Sequence, residues 1–160
     1  MIDQGIDLSQ LKGLIVRPSL ASLGLDSPAA ENLLTGTALA ESGCRFLHQI
    51  DGPALGLWQM EPATHEDCWE NFLRFPAQSR LATALHRMVA ADLPSADQLV
   101  TNLRYACAMA RVRYYRSPHA LPDADDAEAL SAFHKTVYNT SAGAADAARN
   151  VPLFAAAIAA

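Results

Sequence analysis

A chain of 160 residues, 51% of them hydrophobic, is long enough to bury one sizeable core. Its net charge of -5 at pH 7 argues against nucleic acid as a partner and gives no long-range attraction to an anionic cell wall. Asp3 and Asp7 stand where a secretory signal would be basic, no long apolar run follows before Leu25, and the Ala-rich tail is too short to span a bilayer, so neither signal peptide nor membrane span is expected.

Leu8, Leu11 and Ile15 suggest a first helix, interrupted or kinked at Pro18. Ser27-Pro28 reads as an N-cap with a first-turn proline, and Glu31 falls near the positive helix end. Ala30, Leu33, Leu34, Thr37 and Ala38 then recur at helical spacing, and the next position on that stripe is Glu41, with Gly43 as the stop. A carboxylate on a buried stripe at the negative end of a helix is doubly disfavoured as an anion, which suits a general acid. The competing reading turns Glu41 outward or pairs it with Arg45.

Residues 45 to 60 lack a helical period and contain Asp51-Gly52-Pro53, so they read as a loop or short hairpin strands. Gly56-Leu57-Trp58-Gln59 is a Gly-led apolar turn with one amide. Pro62 opens a helix toward Phe72, and Leu81, Leu85 and Met88 mark another. Ser95-Ala96-Asp97-Gln98 resembles a capping box at the start of the longest helix. Its stripe runs Leu99, Leu103, Ala106, Ala110 and Tyr114, with Arg104 and Arg111 on another face, and Ser117-Pro118 ends it. Asp125 and Asp126 start a helix with Leu130, Phe133, His134 and Val137 inward, and Tyr138-Asn139-Thr140 at its exit. Val151-Pro152 precedes a short terminal helix. The chain is expected to be one domain, 1–160, mainly α with a small irregular or β lobe.

Cys44, Cys68 and Cys107 lack a metal spacing and read as reduced, partly buried thiols, one disulfide remaining open. His48, His65 and His134 make no metal site either. His134, on an apolar face, reads as a satisfied core residue, and His65 lies one helical turn from Glu61. No zinc motif, phosphate loop or Ser-His-Asp order is present, and no cofactor is expected.

Glu41-Ser42, Gly56-Leu57-Trp58-Gln59 and Tyr138-Asn139 together resemble the motif series of soluble lytic transglycosylases and goose-type lysozymes, over 27–143. The family has Glu-Ser at a helix end, then Gly-Leu-Met-Gln, then Ala-Tyr-Asn. The chain also looks like small phage-encoded proteins of the lysozyme-like superfamily, in which Glu-Ser-Gly and Pro-Ala-Leu-Gly-Leu precede Glu-Pro-Ala-Thr-His. Trp58 and Val137 depart from the usual Met and Ala. The resemblance implies a lysozyme-like fold, with a cleft between a helical lobe and the small lobe, and cleavage of the MurNAc-β-1,4-GlcNAc bond of peptidoglycan. Glu41 is then the general acid.

Glu61 competes with Asp51 for a second carboxylate role. Goose-type lysozymes carry a water-activating Asp at the position matching Glu61, whereas both residues also suit plain turn or cap duty. Gln59, Trp58, Tyr138, Asn139, His65 and Asp51 complete the expected sugar-side set, with Trp58 weighed as a sugar platform against a core plug. Without a second acid, the sugar's own 6-hydroxyl would close an anhydro ring, as in lytic transglycosylases. Two further readings are a non-catalytic sugar-binding or virion structural protein, and inhibition or scaffold binding through the Arg-bearing helix face. The expected partner is a glycan strand, met by a monomer or a virion-associated protein. The expected location is the host cytoplasm before release to the periplasm through a holin-like pore, or the phage particle.

Overall fold

The computed structural model describes residues 5–139 and 146–160, so Asp3, Thr140 and Gly143 lie outside it. The first rod, α1, joins Leu8–Gln10, a π-helical stretch Leu11–Val16 and Arg17–Leu23 without a break. Pro18 therefore does not interrupt it. The wider π turn lies just ahead of the proline, which occupies the first turn of the last piece, where a missing N–H costs least.

The helix that organises the core is α2, Pro28–Ser42. The Ser27 hydroxyl accepts from the Ala30 N–H at 3.1 Å, and Gly43, left-handed at φ 60°, closes the far end. Residues 32–38 of this helix are all buried, so it is wrapped on every side. Its threonines remain satisfied: the hydroxyls of Thr35 and Thr37 donate to the carbonyls of Glu31 and Leu33, each at 2.7 Å.

Next come α3, Pro62–Cys68, which runs into the π-helical Trp69–Leu73, and α4, Ser79–His86. Then follow α5, Gln98–Thr101, α6, Leu103–Tyr115, and α7, Ala127–Phe133, which continues as the π-helical His134–Asn139. The last helix is α8, Ala147–Ala159. It packs against both α2 and α7. Gly36 makes that approach close: a Cβ there would lie 2.3 Å from Cδ1 of Phe154. Lys12 closes the other end of α8, its buried ammonium donating to the Ala157 carbonyl at 2.8 Å. A cation at orphan C-terminal carbonyls is favourable electrostatically, although burial lowers the Lys12 pKa.

Several expectations need correction. The capping box does not form, because the Gln98 amide is committed to the Ala90 N–H and to the carbonyls of Ala90 and Leu93. The chain instead breaks at Asn102, whose side chain accepts from the Tyr105 N–H at 3.2 Å and so starts α6 afresh. Leu103–Tyr115 is therefore not the longest helix: among the described residues α2, Pro28–Ser42, already exceeds it. Arg111 is buried, 6% exposed, with its guanidinium over the Tyr115 ring, while Arg104 is exposed and donates to Ser22. Pro152 lies inside α8 rather than before it.

Residues 45–60 form an irregular lobe. Among the described residues, β structure is limited to isolated antiparallel bridges, His48 with Leu55 and Leu55 with Met60. The molecule is mostly helical, and no described helix is long and apolar enough to cross a membrane. The three thiols are free and buried; burial pushes Cys44 up to about 11 and raises Cys68 and Cys107 as well, so they stay protonated.

Candidate active site

Glu41 occupies the last turn of α2, with 15% of its side chain exposed. Its Oε1 lies 2.8 Å from Nε2 of His134 and 3.4 Å from Nδ2 of Asn139. The surroundings are thus not the plain apolar stripe that the helical spacing suggests. His134 is 1% exposed, and its Nδ1 is buried with no hydrogen-bond partner among the described residues. That orphan fixes the tautomer by argument: a buried N–H left unpaired costs more than a bare lone pair. The proton therefore belongs on Nε2, and His134 donates to Glu41. Among the described residues, Oε1 is the Glu41 oxygen that these two side chains hold.

The Tyr138-Asn139 motif is tied directly to the other two, and the Gly56–Gln59 turn to the helix that carries Glu41. Trp58 Nε1 donates to the Leu34 carbonyl of α2 at 2.9 Å. Tyr138 donates its hydroxyl to the Trp58 carbonyl at 2.7 Å. His134 and Asn139, on the helix that carries Tyr138, hold Glu41. Burial raises the Tyr138 pKa well above the usual phenol value, so this hydroxyl remains a donor.

The glycine that opens the second motif is a steric necessity. Gly56 has φ 74°, and a Cβ there would sit 1.9 Å from the Leu99 carbonyl oxygen. The turn also carries strain: Gln59 is left-handed at φ 45°, as are Cys44 and Asp51 at 55° and 58°. Non-glycine residues in that region cost of order 1–3 kcal/mol each and cluster at functional sites. Here two of them flank the lobe next to Glu41 and the third marks its tip.

No protein-family model, curated protein or solved structure matches this chain.

The other expected residues divide clearly. Asn139 reaches Glu41 as the acid's second donor. Gln59 is partly exposed and commits one amide N–H to the Gly56 carbonyl at 2.8 Å. Trp58 is no sugar platform: it is 1% exposed, a core plug that fixes the turn to α2. Tyr138 neither bonds the acid nor offers a face to a sugar, since its ring stacks on Tyr114 at 5.1 Å and His134 at 6.0 Å. It is a clamp between motifs.

His65 does not reach Glu61 with its side chain. It is buried against Tyr105, 2.6 Å from the hydroxyl, and burial lowers its pKa. Asp51 is exposed in its left-handed turn, as a turn former would be. Glu61 is exposed at the N-cap of α3, yet its carboxylate makes no capping hydrogen bond. Its carboxylate thus does not serve as a helix cap. Among the described residues no group of His, Cys, Asp or Glu could hold a metal ion.

Two residues of the site were not read from the sequence as such. His134 has the spacing of a core residue, and the signal that distinguishes it is its i, i+4 relation to Tyr138 on one helix face. Arg113 donates to the Tyr138 carbonyl and lies over the Tyr138 ring at 4.8 Å, so it braces the clamp from behind.

Proposed function

We propose that this protein cleaves the glycan strand of peptidoglycan at the MurNAc-β-1,4-GlcNAc bond, with Glu41 as general acid. The observation that carries the reading is a sheltered carboxyl group with one oxygen held by His134 and Asn139. The resemblance of the three motifs adds support, since Tyr138-Asn139 bonds both to Glu41 and to the Trp58 turn.

The reaction then runs as follows. Protonated Glu41 gives its proton to the glycosidic oxygen as the C–O bond breaks, and positive charge develops on the sugar left behind. Water closes the hydrolytic route, losing its proton to a base and leaving a reducing muramic acid end. Glu61 is assigned as that base because its carboxylate is exposed and not spent on a helix cap. An inverting pair of carboxylates stands about 6.5–9.5 Å apart, with room for the water.

A second reading keeps Glu41 as the single acid–base, with the sugar's 6-hydroxyl attacking to form an anhydro end. It needs only Glu41, whose partners among the described residues, His134 and Asn139, hold one oxygen and orient the carboxyl group. Mass spectrometry of digested peptidoglycan tests both: reducing ends support hydrolysis, anhydro ends the transglycosylase route, and intact strands refute cleavage. Whether the setting is host lysis or entry from a virion belongs to the same proposal.

A further inference from the structure

An open cavity of about 520 Å³ lies between the end of α6, α3 and the π-helical His134–Asn139. Its walls include Arg113, Arg116, Thr64, Thr136, Pro118 and Val137. Both arginines have donors to spare. Arg113 spends one Nη on the Tyr138 carbonyl, and Arg116 spends Nη1 on Asp67 at 2.7 Å and on Cys68 at 3.5 Å. A guanidinium carries five N–H groups in a fixed fork and no acceptor, so most of this wall donates.

The hydroxyls of Thr64 and Thr136 can donate as well, and a single carboxylate, Asp67, stands against two guanidiniums. Asp67 is itself already engaged by Asn71 at 2.6 Å and by Arg116. The cavity is thus a positive, donor-rich spot on a chain of net charge -5, which favours an oxyanion. Pro118 and Val137 add apolar wall beside the two guanidiniums.

We propose that this cavity binds a carboxylate borne on a short aliphatic chain, of the kind found at a peptide C-terminus. Arg113 and Arg116 grip the carboxylate, and Val137 and Pro118 take the aliphatic part. Because Arg113 also holds the Tyr138 carbonyl and ring, an occupant sits behind the clamp that fixes Glu41's partners. Read with the glycan-cleavage proposal, on which this source rests, the carboxylate belongs to a stem peptide of the strand being cut.

The test uses the intact chain, labelled with nitrogen-15, and three probes: N-acetyl-alanyl-alanine, its C-terminal amide, and inorganic phosphate. The acid is expected to shift the Arg113 and Arg116 side-chain N–H signals and the Val137 amide, with saturation, while the amide leaves them in place. Arg116→Gln should weaken the acid roughly tenfold or more, the worth of one charge-assisted hydrogen bond. Equal response to the amide, tighter binding of phosphate than of the acid, or no shift at all overturns the inference. The amide control is made on the unaltered protein, so a misfolded variant cannot blur the answer. A chain that binds the acid but leaves peptidoglycan whole refutes only the cleavage reading. One that cuts strands and ignores the acid refutes only this inference.

Discussion

Replacing His134 by leucine removes the hydrogen bond to Glu41 and, in the same stroke, the buried Nδ1 that has no partner among the described residues. A hydrogen bond contributes about 0.5–1.5 kcal/mol net, and a buried unsatisfied polar atom costs about 1–3 kcal/mol. The two losses are of similar size and opposite sign. Leucine also suits the neighbours, since the ring packs against Tyr138 and Phe154. The net change in stability should therefore stay within about 2 kcal/mol, which leaves a domain of ordinary stability overwhelmingly folded. Activity should respond very differently. A carboxyl free to swing through an ångström or so loses on the order of 10²-fold in rate. His134→Gln, which keeps an N–H donor within reach of Oε1, should recover a good part of that loss. The measurements are a urea melt and a turbidity-clearing assay on the three proteins. If His134→Leu clears at the wild-type rate, or if its loss merely follows the unfolded fraction, the positioning argument fails.

Gly36→Ala should destabilise by about 1–3 kcal/mol, because its Cβ meets the Phe154 ring at 2.3 Å, and a thermal melt unchanged from wild type would contradict the packing of α8 on α2. Lys12→Met leaves the Ala157 carbonyl without its buried donor and should cost about 1–3 kcal/mol in a denaturant titration. His65 sets a pH trend: burial lowers its folded pKa, so the unfolded chain takes up the proton first. Its share of stability is complete above the ordinary histidine value and is lost as pH falls through the folded one, a slope that His65→Gln should flatten in urea midpoints taken from pH 8 to 5. Glu61→Gln should leave stability nearly unchanged, since the carboxylate caps nothing, while cutting hydrolysis sharply; unchanged product yield would remove Glu61 from the reaction.

Much of the scaffold could be read from local chemistry. Ser27, Pro28 and Gly43 bound α2 because caps, first-turn proline and left-handed glycine act within a few residues of themselves. Asp126 likewise caps α7, accepting from the Ala129 N–H at 2.9 Å. Where the reading failed, a distant partner decided. Gln98 would complete a capping box had the carbonyls of Ala90 and Leu93 not claimed its amide. Pro152 stays inside α8 at the expense of one backbone hydrogen bond, in a helix covered by α2 and α7.

The site shows the same division. Glu41 and Asn139 stood out as polar residues at helix ends, and they do meet. Trp58 and Tyr138 were recognisable as special, but a large aromatic in a Gly-led turn looks alike whether it faces a sugar or the core. Only the bonds from Trp58 to Leu34 and from Tyr138 to Trp58 reveal two internal clamps. His134 was hidden by its own apolar neighbours, because its polar partner lies on another helix, 93 residues away in sequence.

The central claim is that Glu41 gives a proton to a glycosidic oxygen. Its most direct test is mass spectrometry of purified peptidoglycan incubated with the wild-type chain and with Glu41→Gln, which is nearly isosteric but carries no acidic proton. The account predicts muramic-acid-terminated fragments from the wild type and, since a general acid is typically worth about 10²–10⁴-fold, almost none from the variant at equal folded concentration. Intact strands from the wild type, or the same fragments at comparable yield from Glu41→Gln, would contradict it.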